Sequence, residues 1–388
     1  MTDASRMIRF NGLAVPAGIV SGLGCRAAVG GEFDRLELKS ILVLSSPSLR
    51  RHTRFIDELA GQLGARVAGI YDGVVAHNPD TALRQAIEFA QPLKIDGVLS
   101  VGGGAVHDAA KALALMIPSR RDIATFAGRF EPPATFHPTL VDFEPLPVLT
   151  MPSTFSAAEV MAGGGFTDTA TREKPIVAHA KLTPRCVFLD GEIVASTPRE
   201  ILAASGMNAV HHCLEALYSL GHQPITDALA LAALVELFET LPALAPRQPL
   251  PPPDIFQRTI VASAMSGLTY GNSGLGIGHA ICHSLGGRYG LSHGESNAVI
   301  CRHSLRFNVD YAADQLSRAA RAVGAPNMVD ALDRLVEWLG TPRSLREIGL
   351  PEGQFVRIAD DLMHDPGTYS NPRPVTPEAV IRLLEEAW

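Results

Sequence analysis

Apolar residues follow two different patterns along the chain, and the change comes near residue 190. Before it, short unbroken apolar runs at 39–46 (KSILVLSS), 66–71 (RVAGIY), 95–101 (IDGVLSV), 145–151 (PLPVLTM) and 185–190 (RCVFLD) alternate with segments of helical period. Such runs read as strands covered on both faces, and their alternation with helices predicts a parallel sheet. A helix is expected after the first run to about residue 63, and another over 79–90, with Asn78 as N-cap and Pro79 in its first turn. The third run leads into 102–115 (GGGAVHDAAKALAL), a glycine turn opening an alanine-rich helix. From residue 198 onward helices are expected at about 198–221, 224–242, 254–271, 274–287, 294–307, 310–323, 327–339 and 376–387. The proline-rich 245–254 reads as a loop between two of them. The expected architecture is α/β followed by all-α: a Rossmann-like parallel-sheet dinucleotide-binding domain over 1–190 and a helical domain over 191–388, with a cleft between them.

Two helical segments carry polar pairs at a spacing of four. Asn208 and His212 lie in 206–218 (GMNAVHHCLEALY), and His279 and His283 lie in 278–293 (GHAICHSLGGRYGLSH). Residues four apart share one helix face, so the two pairs can converge in a helical core. Gly286-Gly287 is expected to end or bend the second helix, with His293 beyond the break. His212, His279 and His293 are three imidazoles of the kind that suits zinc, iron or nickel. The fourth group, Asn208, is neutral, and a dication without an anionic ligand binds more weakly. The expectation is therefore a site without a tightly held metal. His283 is the favoured proton donor, since imidazole titrates near neutrality. His211 and His303 read as structural or exposed, and Glu215 as a partner to a histidine or a surface acid.

The glycine turn Gly102-Gly103-Gly104 presents free backbone N–H groups at a helix start, an arrangement suited to a diphosphate. Asp108, one turn on, either points back at that ligand or is an exposed first-turn acid. The small, polar 152–166 loop (PSTFSAAEVMAGGGF) brings Ser153 and Thr154 to the same end. Ser45 and Ser46 close the first run. No acid occurs from 41 through 53, while Arg50 and Arg51 are close by, so both NAD(H) and NADP(H) are admitted.

Composition narrows the class. A chain of 388 residues suggests two domains, and 46% hydrophobic with 19% charged residues fits a globular enzyme. The net charge of −7 argues against nucleic-acid and anionic-membrane partners. No apolar run reaches membrane-spanning length, and the opening MTDASRMIRFNG has no apolar core of a signal peptide. Five scattered cysteines without a CxxC point to a reducing, cytoplasmic setting.

In this order and spacing, GGGAVHDAAKALAL, PSTFSAAE, GMNAVHHCLEALY and GHAICHSLGGRYGLSHGESNAV resemble the iron-containing (group III) alcohol dehydrogenase family. Within it the chain looks most like the maleylacetate reductase branch. Asn208 stands where metal-dependent members carry an aspartate ligand, and the 152–159 loop has the shorter reductase spacing. The chain departs from the family pattern at Ala105, at Ala157-Ala158, at Gly191 and in the His107-Asp108 and GIGHAICH stretches. The resemblance implies a dehydroquinate synthase-like fold, a homodimer and hydride transfer from NAD(P)H to a small molecule. The implied substrate is maleylacetate, a conjugated keto-diacid of aromatic catabolism, reduced to 3-oxoadipate. His279, His283, His293 and His212 would hold and protonate the enolate by charge-assisted hydrogen bonds. Asn208 and Arg288 would contact substrate. The alternatives on the same scaffold are a metal-dependent alcohol dehydrogenase or aldehyde reductase, or a divergent member with another reaction.

Overall fold

The computed structural model describes residues 14–133 and 135–388; the N-terminal stretch considered for a signal peptide lies outside them. The N-terminal part is built on six parallel strands: β1 (Ile19–Ser21), β2 (Ile41–Ser45), β3 (Val67–Tyr71), β4 (Gly97–Gly102), β5 (Val148–Pro152) and β6 (Cys186–Leu189). Their order across the sheet is β1-β6-β5-β4-β2-β3. The five apolar runs are five of these strands. Strand β1 escapes the apolar pattern because it is three residues long, lies between glycines and sits at an edge with Ile19 46% exposed.

Both faces of the sheet are covered, as the unbroken runs require. Ile41 and Val43 pack on one face with Leu99, Leu149 and Phe188, while Leu42 and Leu44 pack on the other with Val98 and the helix Gly104–Ser119. The chain leaves β2 toward β3, then returns to place β4 on the other side of β2. The carboxyl ends of β2 and β4 therefore flank a topological switch point, where open α/β sheets bind ligands. Register puts Ser45 beside Val101, and Gly102 beside Pro152, at that one rim.

After β6 the chain is helical. Helices cover Arg199–Tyr218, Pro224–Thr240, Pro253–Ser273, Ile277–Tyr289, His293–Asn308, Ala313–Ala322, Met328–Leu339 and Pro377–Ala387, matching the expected set to within a few residues. Short helices at Phe355–Leu362 and Pro366–Ser370 add to it. No helix among the described residues is long and apolar enough to cross a membrane.

Three local expectations are corrected. The first helical stretch is two helices, Pro47–His52 and Phe55–Leu63. Asn78 does not cap a helix with its side chain: it adopts φ 46°, and its Nδ2 donates to Ala105 O at 2.9 Å, tying this loop to the glycine-turn helix. Gly286-Gly287 does not end its helix, which runs on to Tyr289 and stops at Gly290 with φ 67°. The pair serves close approach instead. A Cβ on Gly286 would come within 3.2 Å of His77 Cε1, and one on Gly287 within 2.9 Å of Lys174 Cβ. Two segments from the sheet half of the chain rest on this turn of helix. Gly287→Ala is therefore expected to cost about 1–3 kcal/mol through overpacking, read as a lowered urea midpoint with an unchanged slope.

Candidate active site

The glycine turn has the predicted strand–turn–helix form. Strand β4 ends at Gly102, and the Gly104–Ser119 helix starts with Gly103 as N-cap, so the first-turn N–H groups face the rim of the sheet. Space there is tight, since a Cβ on Gly104 would sit 3.2 Å from Ser156 and one on Gly103 3.4 Å from Thr154. Ser153 is held in place by its backbone: its N–H donates to Gly102 O at 2.8 Å and its carbonyl accepts from Thr197 Oγ1 at 2.7 Å. Ser45 is fully buried and its hydroxyl has no partner among the described residues. Ser46 is used locally, its Oγ accepting from Leu49 N at 3.3 Å as the N-cap of Pro47–His52. Arg50 is paired with Asp72 at 3.3 Å.

Asp108 is not an exposed first-turn acid. It accepts from Gly165 N at 3.3 Å and lies 3.9 Å from the buried Lys111. Burial raises its pKa, opposed by Lys111 and Lys174. Lys174, not singled out in the sequence, reaches from the segment before Ile176 across to the helical half. Burial lowers its pKa while Asp108 acts the other way, and its charge in turn reaches His293. Only its position in the fold marks it, because Arg-Glu-Lys-Pro at 172–175 reads as an ordinary polar turn.

At the helical end, the structure brings Asn208, His212, His279 and His293 together. His212 stacks on His279 with ring centroids 4.8 Å apart, and His279 lies 6.0 Å from His293. His283 sits one turn out, its ring parallel to His293 at 6.2 Å and its side chain 27% exposed. Its Nδ1 bonds Asp365 Oδ2 at 2.8 Å. Arg288, expected to contact substrate, is committed elsewhere: Nε and Nη2 donate to the two Asp361 oxygens at 2.7 and 2.6 Å. A bidentate pair of this kind leaves little of the guanidinium free for a second carboxylate.

Glu215 fixes the chemistry of the cluster. It is fully buried at the start of the Ile277–Tyr289 helix, where it accepts from the N–H groups of Gly276 and Gly278 at 2.8 Å each and His279 at 3.3 Å. His279 Nδ1 lies 2.8 Å from Glu215 Oε2. Burial alone would raise the Glu215 pKa, but His211 and His279 outweigh it and hold the carboxyl well below its usual range. An ionised carboxylate only accepts, so His279 Nδ1 must donate. Burial brings the His279 pKa down to about 4, so the ring is neutral and its Nε2 carries a lone pair. That Nε2 is buried without a partner among the described residues, as are Asn208 Oδ1 and His293 Nδ1. His212 follows the same rule, since Ser266 gives its proton to Ser263 O at 2.7 Å and can only accept from His212 Nδ1 at 3.4 Å.

The pocket is thus lined by acceptors. The expected charge-assisted donation from these histidines to an oxyanion does not match it, because the ring nitrogen that His279 turns inward has no proton. Two unpartnered acceptors, His279 Nε2 and Asn208 Oδ1, fit a cation better, so the structure gives no support to the expectation of a metal-free site. A carboxylate that orients a histidine by its other nitrogen is a common support for a metal ligand. His211, Glu215 and His279 also offer ligand atoms within 4.8 Å of one another. Both Glu215 oxygens there already accept backbone donors, which leaves His279 Nε2 as the free atom. His211 itself is structural, with Nδ1 2.7 Å from Asn297 Oδ1 and Nε2 2.9 Å from Ser304 Oγ.

Glu215→Gln is expected to lower stability by about 3–5 kcal/mol, the usual result of breaking a buried charge network. The folded pKa is depressed, so this contribution is full above the unfolded carboxyl value of roughly 4.3 and fades as pH falls through the folded one. Urea unfolding of the two proteins should show a constant gap from pH 8 to 5 that narrows only below about pH 4.

Residues 16–191 match the family described as Iron-containing alcohol dehydrogenase, and residues 202–388 match Fe-containing alcohol dehydrogenase family, C-terminal. The chain is 31% identical over 378 residues to maleylacetate reductase 2 of Cupriavidus pinatubonensis, covering 96% of this chain and 95% of that one. It is 28% identical over 391 residues to the NAD-dependent methanol dehydrogenase of Bacillus methanolicus, covering 96% and 98%. The crystal structure of maleylacetate reductase from Agrobacterium tumefaciens superposes with a TM-score of 0.81 at 28% identity, covering 98% of this chain and 99% of that one. The chain therefore belongs to the Fe-containing alcohol dehydrogenase family of NAD(P)-dependent oxidoreductases.

Proposed function

We propose that this enzyme reduces a small oxo acid of the maleylacetate type with NAD(P)H. The observation that carries the reading is a neutral Asn208 in a three-histidine pocket, with Lys174 acting on His293 and making no ion pair within 4 Å among the described residues. Several of the most similar relatives are maleylacetate reductases, which adds support. A bound nicotinamide would supply a hydride at its C4. Gly102, Gly103 and Gly104 would hold its diphosphate by backbone N–H groups, with Ser153, Thr154 and Ser45 along the same rim. Asp108 would meet the cofactor from the start of the same helix. Lys174 replaces Arg288 as the cation available to a substrate carboxylate. His283, backed by Asp365 and partly open to solvent, would give a proton to the carbon next to the one that receives the hydride, or to the oxygen where a carbonyl is reduced.

A second reading is favoured by the unpartnered acceptors. His212, His279, His293 and Asn208 would hold a divalent ion such as iron or zinc, which would polarise a carbonyl or alcohol oxygen in an alcohol dehydrogenase or aldehyde reductase. In both readings the partner is a small molecule and the assembly a homodimer.

Oxidation of NADH and NADPH with maleylacetate, and with a panel of aldehydes and keto acids, separates the readings when run with and without EDTA. The first predicts turnover of maleylacetate that survives EDTA, and loss of that turnover in His283→Ala with coenzyme binding retained. Turnover of aldehydes alone, abolished by EDTA and restored by one metal, would establish the second and end the first.

A further inference from the structure

One polar ring in the cleft has no role in the chemistry above. Tyr270, on the Pro253–Ser273 helix, stacks on His212 with ring centroids 4.2 Å apart and planes 28° from parallel. It is also within 15° of parallel to His279, at 6.4 Å. The 4.2, 4.8 and 6.4 Å separations set the three rings as a triangle with Tyr270 and His279 on adjacent sides of His212, so the phenol lies beside both imidazoles. The charges that act on it are those of Asp108, on the glycine-turn helix, and Glu159, in the loop after Ser153 and Thr154. The residue is half-buried, and its hydroxyl makes no hydrogen bond among the described residues.

The ring is also rigidly placed. A Cβ on Gly267 would come within 2.6 Å of Val160 Cγ2 and 2.8 Å of Ala157 Cβ, and one on Gly271 within 2.8 Å of Met161 Cε. The helix is thus pressed onto the 157–161 loop on both sides of Tyr270, and the His212 stack closes a third side. A phenol fixed in this way, among imidazoles and an amide that offer acceptors inward, is a donor in a pocket otherwise short of them. A substrate oxygen arriving between the nicotinamide and the histidines needs such a donor. Asp108 and Glu159 are not its partners in the structure, so the hydroxyl is free to give.

We infer that Tyr270 binds the substrate, its hydroxyl donating to a carbonyl or carboxylate oxygen at the junction of the cofactor and histidine ends of the cleft. This rests on the proposed oxidoreductase reading and adds a specificity element to it: the pocket selects substrates with an acceptor oxygen at that point.

The test compares wild type, Tyr270→Phe and Tyr270→Leu in two measurements. One is calorimetric binding of maleylacetate, and of an aldehyde from the panel, to protein loaded with NADP+. The other is steady-state reduction with NADPH. Removing only the oxygen should weaken binding and kcat/KM roughly tenfold or more, with NADPH affinity unchanged. Tyr270→Leu, which also removes the stack, should lose at least as much and in addition lower the unfolding temperature. Phenylalanine equal to wild type in both measurements overturns the inference. Binding that depends on Tyr270 without turnover in wild type overturns the proposed reaction and keeps this role. No binding of any probe to wild type overturns both.

Discussion

The buried carboxylate of Glu215 is the constraint on which the helical half depends. Taking a charge out of water costs several kcal/mol, and that cost stands unless hydrogen bonds replace the lost solvation. Here they come from the start of the Ile277–Tyr289 helix, whose first N–H groups have no partners within the helix and whose dipole favours an anion. One contact thus fixes where that helix begins, how it meets Arg199–Tyr218, and which nitrogen of His279 carries the proton. The inward lone pair of His279 is a consequence of helix packing, not a separate feature of the site.

Small residues make this junction possible. A Cβ on Gly276 would lie 2.9 Å from Glu215 Oε1, and one on Gly278 2.3 Å from His211 Nε2. Gly278 therefore leaves room for the His211 ring, which joins the Arg199–Tyr218 helix to His293–Asn308 through Asn297 and Ser304. Three helices meet at one polar core, and each contributes one histidine to the pocket. Helices so enclosed show no clean amphipathic face, which is why their polar pairs stand out in the sequence.

The sheet and most helices are legible in the sequence because a parallel sheet is buried on both faces. An unbroken apolar run as short as ILVLS at Ile41–Ser45, bounded by polar residues, fits a covered strand and is too short for a helix of its own. The spacing of Asn208, His212, His279 and His283 locates the site for a similar reason, since four-residue spacing is a statement about one helix face. Other features depend on contacts between distant segments and have no local signal. Gly286-Gly287 looks like a helix end, and only the approach of His77 and Lys174 shows why the helix continues. Arg288 looks like a free cation until Asp361, far along the chain, is placed beside it. Lys174 and Tyr270 carry no local mark, because a lysine in a turn and a tyrosine in an apolar helix are both ordinary.

The direction of the hydrogen bonds also bears on what Asn208 does. Its Nδ2 faces Ser156 O at 3.5 Å, which turns Oδ1 inward without a partner. An aspartate there would place a negative charge beside three neutral imidazoles and, with a cation bound, would hold it strongly. The amide presents the same oxygen with the charge removed. The site keeps the geometry of a ligand set while giving up much of its electrostatic hold, and Lys174 nearby further reduces the attraction for a dication. With no charge at Asn208, Lys174 is left as a cation acting on the histidine end of the pocket. Were the substrate the proposed oxo acid, its carboxylate would meet that cation and its reacting oxygen the histidine end.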